Sequence, residues 1–286
     1  MCIDSEHSAI TRFAPSPTGF LHLGHAYSAL IAKRQAMQTG GRFLLRIEDI
    51  DPNRCKTKYE AAIYEDLNWL GLTWEIPVRR QSEHLNEYAK AINTLQAFGF
   101  LYPCFCTRKD IQNTNNRDNS IHLGLNAPSC PGICRVLSSK ERKIRISNGD
   151  SFAMRLDVNK ALAGLSSSLH WNDLIHGKIS ATPEIFGDVV LVRKDIPTSY
   201  HLAVTIDDHL QGVTLVTRGE DLFSSTHIHR LLQELLGLNT PDYYHHPLLT
   251  DKKGRRYSKR DKSLSIRKLR DEGKGPEQIR QMVGLS

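Results

Sequence analysis

Residues 12–25, RFAPSPTGFLHLGH, stand where one periodicity ends and another begins. Ala9–Phe13 is a short apolar run, Pro15, Pro17, Thr18 and Gly19 break it, and an amphipathic stretch opens near Gly24. The order is strand, turn, helix start. A helix N-terminus leaves backbone N–H groups without intrahelical partners and carries the positive end of the macrodipole, so phosphate binds there readily. Gly24 would let a flat ligand approach the backbone, with His22 and His25 beside the phosphates as donors. Such donors stabilise charge that grows on an α-phosphate as a carboxylate attacks it, and no covalent nucleophile is needed. An ordinary turn carrying two surface histidines is the other reading of these residues alone.

RFLLRIEDID at 42–51 reads as a strand, Phe43–Ile47, that ends in Glu48, Asp49 and Asp51. Carboxylates would then face the ligand-binding edge of an open parallel sheet, though a charged loop also fits. In residues 199–222 the apolar runs Leu202–Ile206 and Val213–Val216 predict a pair of strands flanking Asp207–Gln211, with Tyr200 and Arg218 emerging into one crevice. Between Lys252 and Lys262 seven basic residues form a run that by itself reads as a solvated, RNA-facing loop.

Helices are expected near 25–39, 57–70 and 83–98, closed by Gly40, Gly71 and Gly99, so residues 1–101 form the first half of a doubly wound α/β domain. Residues 102–185 break the pattern with a cysteine cluster, a polar Asn-rich segment and short strands near 143–146 and 152–158. They read as an inserted subdomain. Strand–helix alternation resumes near Asp188, with a patterned helix around Ser225–Leu236, and 186–286 form the second half. The chain has 286 residues and a net charge of +7, enough for one well-buried α/β body and compatible with an RNA partner. No stretch nears the roughly 18 apolar residues of a membrane span and Met1–Ser8 has no signal-like apolar core, so a cytoplasmic protein without membrane contact is expected. Of six cysteines, Cys104, Cys106, Cys130 and Cys134 fall in two close pairs that suit tetrahedral, structural Zn²⁺, one ion per chain; unrelated free thiols are the other reading. Cys2 and Cys55 lie outside the pattern.

The opening string resembles the HIGH signature of class I aminoacyl-tRNA synthetases, in the form PSPTGxLHxGH found in the glutamyl and glutaminyl branch. The likeness spreads over nearly the whole chain, through RFLLRIEDID, YEDLNWLGL at 64–72, residues 199–222, the cysteine cluster, and RYSKR at 256–260, which resembles the KMSKS loop. Arg256 and Tyr257 depart from that loop, while Ser258 and Lys259 match. The resemblance implies a Rossmann-like parallel sheet with an insertion that meets the acceptor end of tRNA. It implies that His22, His25 and Lys259 act on the phosphates, and that Gly24 and Ser258 join them at ATP, which binds with Mg²⁺. It also places Arg12, Phe13, Ala14, Pro15, Ser16, Glu48, Tyr200 and Arg218 around the amino acid, Glu48 on the α-ammonium and Arg12 and Arg218 on carboxylate. A dicarboxylic substrate needs guanidinium forks, because an anion taken out of water must be paired. L-Glutamate is therefore the expected substrate, with glutamine as the alternative.

Only some two dozen residues follow RYSKR, room for one or two helices and not for an anticodon-binding domain. A body of this extent resembles the glutamyl-queuosine tRNA(Asp) synthetases, in which activated glutamate goes to the queuosine base in the anticodon of tRNA(Asp). The resemblance implies a monomeric ligase of that kind. A short glutamyl-tRNA synthetase charging the 3′ end of tRNA(Glu) would share every active-site residue. A non-catalytic tRNA-binding paralogue would lack the histidine pair, Glu48 or Lys259, all of which are present.

Overall fold

A computed structural model of the protein describes residues 8–115, 132–249 and 265–285. The first half is built from β1 (Ile10–Phe13), α1 (Leu23–Gln38), β2 (Arg42–Ile47), α2 (Thr57–Trp69), β3 (Arg79–Arg80) and α3 (Leu85–Ala97). Gly40, Gly71 and Gly99 follow α1, α2 and α3 with φ of 62°, 76° and 70°, the left-handed conformation that ends a helix at little steric cost. Gly41 is required for a different reason: a Cβ there would lie 2.0 Å from the Ala9 carbonyl oxygen. The chain can turn from α1 into β2, alongside β1, only because that position is bare.

After β4 (Leu101–Cys104) come α4 (Arg108–Asn115), α5 (Ser139–Ser147), β5 (Ala153–Leu156), α6 (Val158–Ala163), β6 (His170–Asp173), β7 (Gly177–Ser180) and β8 (Val190–Val192). The remaining elements are α7 (Tyr200–Leu210), β9 (Leu215–Gly219), α8 (Ser225–Leu236), β10 (Asp242–His246), α9 (Ile266–Asp271) and α10 (Pro276–Met282). Strands β3, β2 and β1 are parallel neighbours, as are β9, β10 and β6, with β7 antiparallel on β6. Thr214 joins the two sets beside β1: its amide donates to the Ile10 carbonyl at 3.0 Å and its hydroxyl accepts from the Ile10 amide at 2.9 Å. The parallel strands therefore run in the order β3-β2-β1-β9-β10-β6, a doubly wound sheet whose carboxyl ends form one edge.

Three sequence expectations are corrected. Leu202–Ile206 is not a strand but the body of α7; Leu202 through Asp208 are all buried, so the helix shows no polar stripe and its run of apolar and β-branched residues imitates a strand. Residues 143–146 lie in α5, where Ser138 and Glu141 form a reciprocal capping box that starts a helix with no buried residue. Strand β8, just after Asp188, does not resume the parallel sheet: it runs antiparallel to β5 in a small sheet, β4-β5-β8, while the parallel sheet takes up β6 before it and β9 and β10 after it.

Packing fixes the end of the described chain as well. Ile266, Leu269 and Ile279 of the last two helices, with Val283 just after α10, join the core that holds Leu67, Leu70 and the inner face of α1. Truncating a fully buried side chain such as Leu67 to alanine should cost about 2–5 kcal/mol. Because α9 is anchored there, the Ile266 amide reaches the Leu21 carbonyl at 2.8 Å and Ser265 pairs with His22.

Candidate functional site

A cleft of about 460 Å³ opens at the carboxyl ends of β1, β2 and β9. It gathers Arg12, Phe13, Ala14, Pro15, Ser16, His22, Gly24, His25, Glu48, Tyr200 and Arg218, each of the residues expected from sequence around the amino acid and ATP that the structure describes. Ser258, Lys259 and Cys130 lie outside the described residues. The described flanks of 250–264 both stand here, Leu249 in the cleft wall and Ser265 against His22.

At the helix end, hydrogen-bond direction fixes the state of both histidines. His22 is the N-cap of α1 and its Nδ1 accepts from the Gly24 amide at 3.1 Å, while His25 Nδ1 accepts from the His22 amide at 3.1 Å. A backbone N–H can only donate, so each Nδ1 is bare and each proton sits on Nε2. Gly24 makes this possible, since a Cβ there would press to 3.0 Å from the His22 ring. The first turn of α1 holds no acidic residue, so no carboxylate of its own offsets the positive end of the helix dipole.

Around Arg12 and Glu48 the cleft is backed by an ion-pair lattice. Arg12 grips Asp208 through Nε at 2.9 Å and Nη2 at 3.3 Å, and its Nη1 donates to the Thr217 carbonyl at 3.0 Å. Asp208 also accepts from Arg46 Nη1 at 2.7 Å, and Arg46 Nη2 reaches Glu48 at 3.3 Å. Burial pushes Asp208 upward, but Arg12 and Arg46 outweigh it and hold its carboxyl below the usual range. For Glu48 burial wins over Arg46 and Arg12, raising it to about 7.

Arg218 differs. Its Nε donates to His245 Nε2 at 3.1 Å, Nη1 to His229 Nδ1 at 3.2 Å and Nη2 to the Thr226 hydroxyl at 2.6 Å, and no carboxylate lies within ion-pair distance among the described residues. Both histidines stay neutral: burial, then the Arg218 charge, brings His245 down to about 4 and His229 well below its ordinary value. A guanidinium only 6% exposed is thus hydrogen-bonded without being neutralised. Three of its five N–H donors are taken by these partners, and it lines the cleft.

Sequence reasoning missed Asp208, Arg46, His229 and His245, as well as the cleft residues Tyr27, Ser28, Thr217, Gly219, Asp221 and His246. A cue for Asp208 was the pair Asp207-Asp208 in an apolar context; the histidines gave none. At Gly219 a Cβ would lie 2.6 Å from Asp221 Oδ1 and 2.8 Å from Leu248 Cδ2, so any larger residue must displace one or both of these side-chain ends in the cleft wall.

Away from the cleft, the sulfur atoms of Cys104, Cys106 and Cys134 lie within 4.8 Å of one another, Cys106 and Cys134 at 3.6 Å. Tetrahedral Zn²⁺ with bonds of about 2.3 Å separates its sulfurs by about 3.8 Å, so the three donors fit such an ion.

Residues 8–286 match the family "tRNA synthetases class I (E and Q), catalytic domain". The chain is 44% identical over 281 residues to a glutamyl-Q tRNA(Asp) synthetase of Rhodobacter capsulatus, covering 96% of this chain and 100% of that one. It is 39% identical to a glutamate–tRNA ligase of Aquifex aeolicus, covering 94% of this chain but 55% of the relative. The crystal structure of a glutamate–tRNA synthetase from Elizabethkingia anophelis superposes with a TM-score of 0.81 at 29% identity, over 97% of this chain and 61% of that one.

Proposed function

As the chain belongs to the class I tRNA synthetases of the glutamate and glutamine branch, we propose that its cleft activates L-glutamate with ATP and transfers it to the queuosine base in the anticodon of tRNA(Asp). The observation that carries the glutamate reading is Arg218: a buried cation facing the cleft, held by neutral partners, is what an anionic side chain or carboxylate requires. A carboxamide would leave that charge unpaired. Arg12 serves as the second carboxylate ligand through the two N–H groups its own anchors do not use. Glu48, when ionised, takes the α-ammonium, and Tyr200, at the N-terminus of α7, packs against the substrate.

In the first step a glutamate α-carboxylate oxygen attacks the α-phosphorus of ATP and pyrophosphate leaves. The Nε2–H groups of His22 and His25 and the positive end of the α1 dipole face the charge that grows on the phosphate. Lys259 and Ser258 belong to this step by the motif they match, and the position of Leu249 and Ser265 at the cleft supports that assignment. Mg²⁺ accompanies ATP, held mostly by phosphate oxygens and water. In the second step a hydroxyl of the acceptor attacks the mixed anhydride carbonyl and AMP leaves. Support for a queuosine hydroxyl comes from the similarity to relatives of that name, one of them matched along its whole length. Zn²⁺ on Cys104, Cys106, Cys134 and Cys130 would clamp the segment between the two cysteine pairs and take no part in the chemistry.

The test is transfer of labelled glutamate, with ATP and Mg²⁺, to tRNA from a queuosine-replete strain and from a strain unable to make queuosine. Labelling of the replete pool alone is expected. Equal labelling of both would favour the 3′ end as acceptor, and no labelling of either would overturn the ligase reading.

A further inference from the structure

Arg218 donates to two histidines whose other ring nitrogens are also engaged, and an arginine cannot accept. That asymmetry propagates. His245 Nε2 must be bare to accept from Arg218 Nε, so its proton is on Nδ1, which donates to Asp173 Oδ2 at 2.6 Å. His229 Nδ1 must be bare to accept from Arg218 Nη1, so its proton is on Nε2, which donates to His201 Nδ1 at 3.2 Å. Asp173 is fixed in turn: its Oδ1 accepts the amides of Ile175 and His176 at 2.9 and 3.0 Å, leaving Oδ2 for His245. Asp173 and His245 are each about 1% exposed, and neither lines the cleft. The lattice is built across neighbouring strands, with Arg218 on β9 in register with His245 on β10, and Asp173 on the adjoining β6.

We propose that Asp173, acting through His245, is a positioning residue for amino-acid selectivity: it locks the histidine tautomer that lets Arg218 stay an oriented, unneutralised cation. This rests on the reading of Arg218 as a carboxylate ligand. A carboxylate placed directly on Arg218 would aim it equally well but cancel its charge, and then glutamate would lose its advantage over glutamine. An imidazole interposed between Asp173 and Arg218 keeps the aim and removes the anion to a second rank. His229, with His201 behind it, does the same on the other branch of the fork.

Asp173→Asn tests this with almost no change of shape. The single amide oxygen is claimed by the two backbone N–H groups, so the NH₂ faces His245 Nδ1 and forces the ring proton onto Nε2, against Arg218. Glutamate-dependent ATP–pyrophosphate exchange should show the glutamate KM raised about tenfold to a hundredfold, the loss of one charge-assisted hydrogen bond. The ATP KM and kcat should stay within about twofold on the same scale, and the glutamate-over-glutamine preference should shrink. In ¹⁵N-labelled protein the His245 ring resonances should exchange their Nδ1 and Nε2 protonation pattern. His229→Leu should raise the glutamate KM likewise, and His229→Asn, which keeps an acceptor near the Nδ1 position, should restore it. No exchange with glutamate in the unaltered protein would overturn the glutamate reading and this proposal with it. Exchange in the unaltered protein, with an unchanged glutamate KM in Asp173→Asn and His229→Leu, would overturn this proposal alone.

Discussion

Asp208→Asn is the substitution that probes most of the site at once. Asp208 accepts three charge-assisted bonds, from Arg12 Nε and Nη2 at 2.9 and 3.3 Å and from Arg46 Nη1 at 2.7 Å, in a buried setting. Removing one member of a buried ion pair costs about 3–5 kcal/mol, because its partners remain charged and out of water. Asparagine retains one acceptor oxygen, which favours the lower end. For a chain of this size each kcal/mol moves Tm by about 2–4 °C, so a fall on the order of 10 °C is expected. Arg12 also loses the partner that aims it, so the glutamate KM should rise about tenfold. Asp207→Asn is the control: Asp207 is also buried and lies 3.7 Å from Arg46, but it accepts from Arg79, Gln81 and Tyr88, not from Arg12. It should lower Tm comparably and move the glutamate KM little. Thermal melts, urea unfolding and pyrophosphate exchange on the two variants decide the matter. If Asp208→Asn shifted Tm by less than about 2 °C, or if both variants changed the glutamate KM equally, the lattice would not be what orients Arg12.

Other consequences follow from the same geometry. Glu48, raised to about 7 chiefly by burial, is protonated below that pH in the free protein. On the role proposed for it at the α-ammonium, its ionised, working form appears as pH rises, and kcat/KM for glutamate should climb through about pH 7 and then level; Glu48→Gln should give a flat profile, about tenfold to a hundredfold lower at pH 8. Gly219→Ala would set a methyl 2.6 Å from Asp221 and 2.8 Å from Leu248. It should raise the KM of ATP or glutamate about tenfold, one bond's worth of misplacement, with Tm nearly unchanged; wild-type kinetics would show that this wall yields freely. Cys134→Ser should abolish bound zinc, measured by elemental analysis at about one ion per wild-type chain, and lower Tm as a chelator lowers that of the unaltered protein; zinc retained at full stoichiometry would remove Cys134 from the ligand set.

How much of this was legible beforehand depended on the sequence distance over which each feature is written. The turn and helix start at 13–25, the glycines after α1 to α3 and the cysteine triad are specified within a few tens of residues, and local rules reach them. Helix α7 was misread for a physical reason. Buried continuously from Leu202 to Asp208, it lacks the polar face whose period marks a helix, and Val204, Thr205 and Ile206 are residues that strands also favour. Yet the error did not displace Tyr200 or Arg218 from the cleft, because both are placed by the ends of their elements, the first residue of α7 and the next-to-last of β9. The lattice beneath them was out of reach. Arg12 and Asp208 are 196 residues apart, Asp173 and His245 72, and neither partner carries a local sign of the other. What His245 in β10 does is fixed only by which strands become its neighbours: between β9 and β6 it meets a cation on one side and a carboxylate on the other. Cleft-facing residues are thus written in motifs, whereas the residues that aim them are written in the strand order.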